Sequence, residues 1–240
     1  MKRQRTLLGV WAHPDDEAYL SAGLMAEARR NGERVVVLTA TLGEHGTSEP
    51  RRFPPACLRR LRHHELRKSL AAVGVDELRI IGFEDGTCHE REGTVAVADH
   101  IADIAPDRIV TFGPDGITGH LDHCAVSRWT TDAWSAVRPE AALWYATKTP
   151  EFHREFAEVN EAIGLWNEQP EPPCTPEHEC KSLTLDAALL DRKIAALHAH
   201  GSQTRPLIKM MGADLYRAWV RTEWFRVGGA SPDGQRPALL

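Results

Sequence analysis

Strand-like and helix-like segments alternate five times between residues 6 and 147, and no other feature of the chain restricts its fold as much. Residues 6–12 (TLLGVWA), 34–41 (RVVVLTAT), 78–83 (LRIIGF), 108–112 (RIVTF) and 142–147 (ALWYAT) are short, apolar and rich in β-branched or aromatic residues. Residues 16–30, 56–73, 94–104 and 121–137 between them carry apolar positions at helical spacing, and Asn31-Gly32, Gly74 and Pro106 close three of the four. The strands lack polar alternation, as expected when both faces of a sheet are covered. Such βα alternation predicts a Rossmann-like α/β fold, an open and mostly parallel sheet with helices on both faces. The regularity breaks over 150–184, where four prolines fall within 170–176, so an irregular insertion is expected there. A helix over 185–199, a short helix over 212–221, a strand over 224–227 and a mobile tail from about 230 complete the expectation. A single domain over 1–240 suits this length.

Composition narrows the class of partner. Lys+Arg is 29 and Asp+Glu is 34, a formal charge of −5, which gives no electrostatic case for nucleic acid or an anionic membrane. No apolar run is long enough to span a bilayer. Only Leu7–Ala12 follow the basic N-terminus before His13-Pro14-Asp15-Asp16-Glu17 interrupts, which argues against a signal peptide. Five scattered cysteines suit reduced thiols and a cytoplasmic location better than a disulfide framework. A homo-oligomer is compatible with all of this.

In open α/β sheets ligands bind at the carboxyl ends of the strands. Strand one is followed by His13-Pro14-Asp15-Asp16-Glu17, strand two by Glu44-His45, strand three by Glu84-Asp85 and strand four by Gly119-His120-Leu121-Asp122-His123. Four of the five strand ends thus deliver carboxylates or imidazoles to one rim, which burial alone would not tolerate. His13, Asp16 and His123 offer two imidazoles and one carboxylate, a set typical of a catalytic zinc that keeps one position open. The bland account is helix capping by Asp15 or Asp16 and by Asp122. It explains each residue singly better than all of them together.

These residues carry a resemblance. AHPDDE (12–17) paired with TGHLDH (118–123) is specific, and LGEHGT (42–47), Arg62-x-x-Glu65, Asp85-Gly86 and K-x-x-A-L-x-x-H-x-S-Q (193–203) support it. Over about residues 6–205 the chain resembles the PIG-L/LmbE-like family of zinc-dependent N-deacetylases. The resemblance implies hydrolysis of an N-acetylglucosamine-type amide, with one Zn2+ per chain on His13, Asp16 and His123. It implies Asp15 as general base, His120 as the protonated histidine that stabilises the tetrahedral oxyanion, and Asp122 as the carboxylate orienting a histidine of the His120/His123 pair. Arg62 and Asp85 match positions that contact sugar hydroxyls in some members, and Glu44 joins them as a candidate substrate contact. The expected partner is a small N-acetylated amino sugar or its conjugate. His45 and Leu121 depart from common forms of the motifs, and 150–184 has no counterpart, which leaves the substrate more open than the reaction. A larger or thiol-conjugate amide, or a non-catalytic metal-binding member, are the alternatives.

Other groups read more plainly. A nucleotide-binding oxidoreductase would need G-x-G-x-x-G where this chain has His-Pro-Asp-Asp. Cys174, His178 and Cys180 match no zinc spacing and read as loop residues. His200 reads equally as a rim residue or a structural hydrogen-bonding group. The tryptophans read as core or interface, with Trp166 the one candidate for a substrate platform.

Overall fold

A computed structural model describes residues 3–166 and 174–228. Its seven-stranded sheet runs in the order β3-β2-β1-β4-β5-β7-β6. The first five strands are β1 (Thr6–Trp11), β2 (Arg34–Thr39), β3 (Glu77–Ile80), β4 (Arg108–Phe112) and β5 (Ala142–Thr147), all parallel. β1 is central, with Leu8 in register with Val36 on one side and Ile109 on the other. All six of its residues are buried, which is why it reads as an unbroken apolar run. Strand order reverses between β1 and β4, and at such a switch point the carboxyl ends part to leave a crevice. β7 (Thr222–Val227) then runs antiparallel to β5, and β6 (Lys181–Thr184) antiparallel to β7 at the edge.

The helices α1 (Asp16–Arg30), α2 (Pro55–Ala72), α3 (Thr94–Ile104) and α4 (Leu121–Val137) cover the parallel half. They lie within a residue of their sequence-based bounds because each has a clear stop or start nearby. Later elements depart from expectation. Residues 150–184 are not irregular throughout: they hold α5 (Pro150–Glu155), α6 (Ala157–Ala162), a 3-10 turn (Glu177–Glu179) and β6. Thr149 caps α5 by accepting from Phe152 N–H, and Pro150 sits at the first turn, where its missing N–H is harmless. After α7 (Ala187–Ala199) comes an unforeseen helix, α8 (Gly201–Met211), followed by α9 (Ala213–Val220). α8 opens on glycine and contains Pro206, both signals that normally argue against a helix. The expected tail from about 230 and residues 167–173 lie outside the described residues.

One buried ion pair ties the second half to the first. The Lys193 ammonium of α7 lies 2.7 Å from Glu223 of β7 and donates to the Tyr19 carbonyl, while Glu223 accepts the Gly23 and Leu24 N–H groups of α1. Both side chains are 1% exposed. A buried pair is tolerated when its spare donors and acceptors are matched, as here.

Candidate active site

The chain leaves β1 in a tight turn. Asp15 sits in left-handed space at φ 112, a costly conformation for a residue with a side chain. Its carbonyl accepts the N–H groups of Ala18 and Tyr19 and so begins α1, but its carboxylate makes no helix cap. Two buried groups hold the turn. Glu17 accepts the Asp15 N–H at 2.9 Å, and Arg62 of α2 donates to the carbonyls of Pro14 and Gly43 while lying 3.3 Å from the Asp15 carboxylate. Gly43 must be glycine: its φ is +65, and a Cβ there would lie 2.1 Å from the Arg62 guanidinium. Glu17 is fixed in turn by Ser69 Oγ and by His200 Nε2, each at 2.7 Å.

His13, from the β1 end, meets His123, from the first turn of α4 beyond β4. His13 Nδ1 lies 3.1 Å from His123 Nε2 and 3.7 Å from one Asp16 oxygen, and His123 Nε2 lies 3.4 Å from the other. His123 Nδ1 is 2.9 Å from the Gly116 carbonyl, and its ring stacks on Phe112 at 4.2 Å. Donation from Nδ1 to that carbonyl leaves the Nε2 lone pair facing the cluster, the arrangement in which a ligating histidine is oriented from behind. On its other edge His13 Nε2 is 3.0 Å from Asp85 and 3.3 Å from Asp122. Backbone N–H groups of Gly86 and Cys88 anchor the Asp122 carboxylate. His120 caps α4, its Nδ1 accepting from Asp122 N–H at 3.2 Å, so in that tautomer the proton sits on Nε2. Ligand atoms of His13, His120 and His123 lie within 4.8 Å of one another, as do those of His13, Asp85 and Asp122.

Charge explains the grouping. Burial disfavours a charged His13, but Asp122, Asp85 and Asp16 outweigh it and raise its pKa to about 10. Burial, with His13 and His120 nearby, holds His123 well below the ordinary histidine value, in the neutral form that ligates a metal. Burial pushes Asp15 up to about 6 against the pull of Arg62. Burial also opposes charge on Asp85 and Asp122, yet their hydrogen bonds with His13 keep both low. The carboxylates of Asp15, Asp16, Asp85 and Asp122 outnumber the positive charges of Arg62 and His13, and a metal ligated by His13 would displace the proton they hold there. A divalent cation on imidazole and carboxylate donors suits that excess.

Helix capping by the aspartates does not account for the cluster, since Asp15 makes no side-chain cap and α4 is capped by His120. His13, Asp16, Asp85, Asp122 and His123 gather, with His120 beside them and Asp15 next in the chain. Three details differ from expectation. Asp122 hydrogen-bonds to His13 rather than to His120 or His123. Asp85 sits within the cluster, and Arg62 spends its hydrogen bonds on the Asp15 turn, so neither stands as a free sugar contact. Glu44 is buried against Arg59, its second oxygen unpartnered. Among the described residues Cys174, His178 and Cys180 join no cluster of potential ligands. The sequence reading left Glu17, Ser69 and Lys148 without a role. Glu17 was visible in the motif, but nothing local reveals that its partners lie 52 and 183 residues away.

Beside the cluster opens a cavity of about 490 Å³, bordered by Asp16 and His123 and walled by Tyr19, Leu20, Trp166, Leu207 and Trp219. Trp166 lines this cavity, with its ring against His153. No helix among the described residues is long and apolar enough to cross a membrane.

Comparison with known proteins agrees with this geometry. Residues 8–134 match the PIG-L family, GlcNAc-PI de-N-acetylase. The 1D-myo-inositol 2-acetamido-2-deoxy-alpha-D-glucopyranoside deacetylase 1 of Saccharopolyspora erythraea is 31% identical over 83% of this chain and 78% of its own length. The probable N-acetyl-alpha-D-glucosaminyl L-malate deacetylase 2 of Bacillus cereus is 30% identical over 92% of this chain and 97% of its own. Among solved structures, the N,N'-diacetylchitobiose deacetylase of Pyrococcus horikoshii shares the fold at a TM-score of 0.64, with 17% identity, over 93% of this chain and 83% of that one.

Proposed function

The chain belongs to the PIG-L (GlcNAc-PI de-N-acetylase) family, and we propose that it is a zinc-dependent hydrolase that removes the acetyl group from an N-acetylglucosamine-type amide. The observation that carries this reading is the convergence of His13, Asp16 and His123 at 3.1–3.7 Å from one another, with a half-buried Asp15 of raised pKa beside them in the chain. These three residues would hold the metal. When bound there, zinc acts as a Lewis acid that lowers the pKa of a water and balances the buried carboxylates.

The chain's own groups do the rest. Asp15, with a carboxyl raised to about 6, takes a proton from the attacking water near neutral pH and returns it to the departing amine. Arg62 and Glu17 fix its orientation, because a base must stand within hydrogen-bond reach of the proton it moves. His120, with its proton on Nε2, donates to the oxyanion that forms on the amide carbon. Asp122 and Asp85 orient His13 and supply negative charge behind it. That every one of these groups springs from a single sheet and its helices supports one domain.

The test is release of acetate from a panel of N-acetylated amino sugars and their glycosides by the zinc-loaded protein. Acetate should appear with the parent. A panel without release, from protein carrying one zinc per chain, overturns the reading.

A further inference from the structure

The cavity beside the ligand cluster falls within the size range of small-molecule sites. Besides Asp16 and His123 its polar lining is Thr118, Gln203 and Lys148, and the rest of the wall is hydrocarbon and aromatic, with Leu20, Leu207 and Trp219 prominent. A polyhydroxylated sugar needs many hydrogen-bond partners, and burying its hydroxyls there would leave most of them unmatched. This wall therefore suits a different part of the substrate.

One cation stands among these side chains. Lys148, directly after β5, lines the same cavity. Its ammonium lies 4.4 Å from the centre of the Phe152 ring and 5.1 Å from that of Trp224. Among the described residues it has no carboxylate and no hydrogen-bond acceptor. The nearby Glu223 is already committed to Lys193 and to two N–H groups of α1. Burial and the charge of Lys193 lower the Lys148 pKa to about 7 against the pull of Glu223, which makes no contact with it. An apolar residue would complete this wall at less cost. A cation here makes sense if an anion arrives with the ligand.

We infer that Lys148 and the apolar wall form a subsite for the non-sugar part of the substrate, an apolar group bearing one carboxylate. This rests on the amino-sugar deacetylase reading and narrows it to conjugates of an apolar acid. The ring faces of Phe152 and Trp224 hold the ammonium without using its N–H donors, leaving these for the carboxylate.

Two amine glycosides, which cannot turn over, test it by calorimetry on the zinc-loaded full chain: 4-carboxyphenyl and phenyl 2-amino-2-deoxy-D-glucopyranoside. The carboxylate should bind about tenfold more tightly, the scale of one charge-assisted hydrogen bond. In Lys148→Met the ratio should fall near one, and in Lys148→Arg it should persist. A ratio near one in the parent, or an unchanged ratio in Lys148→Met, overturns the inference. Equal loss in the Met and Arg variants also overturns it, since packing rather than charge would then be at work. Acetate release from the matching N-acetyl glycosides is measured alongside. Release without charge preference removes the subsite and leaves the deacetylase reading standing. Charge preference without release does the reverse. A preference that follows N-acyl length and ignores the charge of the glycoside assigns the cavity to the acyl group and overturns the inference.

Discussion

The two walls of the cleft are built by opposite means. The polar wall comes from the loops just after β1, β3 and β4, where few residues separate one functional group from the next. Its side chains are held by backbone: Gly86 and Cys88 N–H on Asp122, the Gly116 carbonyl at His123, and the Pro14 and Gly43 carbonyls on Arg62. The apolar wall comes from α1, α8, α9 and the stretch around Trp166, elements separated by up to two hundred residues and held by packing. Reaction chemistry demands fixed donors at near-constant distance, and rigid strand ends supply them. Choice of substrate tolerates a softer surface, and helices can vary it without disturbing the strands.

The contrast breaks most visibly on the polar side. His123→Ala should lower acetate release on the order of 10³-fold or more, with bound zinc reduced in parallel. Elemental analysis beside the activity assay checks this; a variant that keeps full zinc would remove His123 from the ligand set.

A large effect of another kind lies behind the apolar wall. Lys193→Met leaves the Glu223 carboxylate buried beside two N–H groups and should cost about 3–5 kcal/mol of stability in urea unfolding. A loss under about 1 kcal/mol would mean that the pair does not clamp α7 and β7 to α1.

Behind the polar wall stands Glu17. Glu17→Gln keeps the shape but weakens the hold on the Asp15 N–H and on His200. It should lower kcat about tenfold or somewhat more, the scale of one hydrogen bond to a charged group, with little change in KM. A KM effect with intact kcat would place Glu17 in substrate binding instead. The smallest expected change is on the apolar side. Trp166→Ala should raise KM for an aryl glycoside several-fold and leave kcat nearly unaltered, since it removes contact area without touching the reacting groups.

The same contrast governs what could be read from the amino acids. The parallel half was legible because most of its strands are short apolar runs and three of its four helices have a clear stop, so α1, α3, α4, β4 and β5 coincide with their expected ranges, while β2 and β3 end two and three residues before theirs. The gathering of His13, Asp16 and His123 was legible because His13 and Asp16 share one turn, and the switch point in strand order brings His123 to them. Asp122 was assigned to a neighbouring histidine, whereas its partner His13 lies 109 residues away, a distance that no local pattern encodes. The apolar wall was largely hidden. α8 begins with Gly201 and carries Pro206, and α5, α6 and β6 are too short for periodicity to register beside a proline-rich stretch. Lys148 looked like any lysine after a strand until Glu223 proved to be taken.

The central claim is that Asp15 moves the proton while its neighbour Asp16 holds the metal, and Asp15→Asn against the parent tests it most directly. Bound zinc, kcat and the pH profile of kcat/KM are measured on both. Burial raises the Asp15 carboxyl to about 6, above its ordinary 3.8, and a bound zinc would draw it back down, so the base form is lost and the parent's acid limb should lie between those two values. Asp15→Asn should retain one zinc per chain, lose on the order of 10²-fold or more in kcat, and lack that limb. Equal loss of zinc in Asp15→Asn and Asp16→Asn, or undiminished acetate release from Asp15→Asn, would contradict the account.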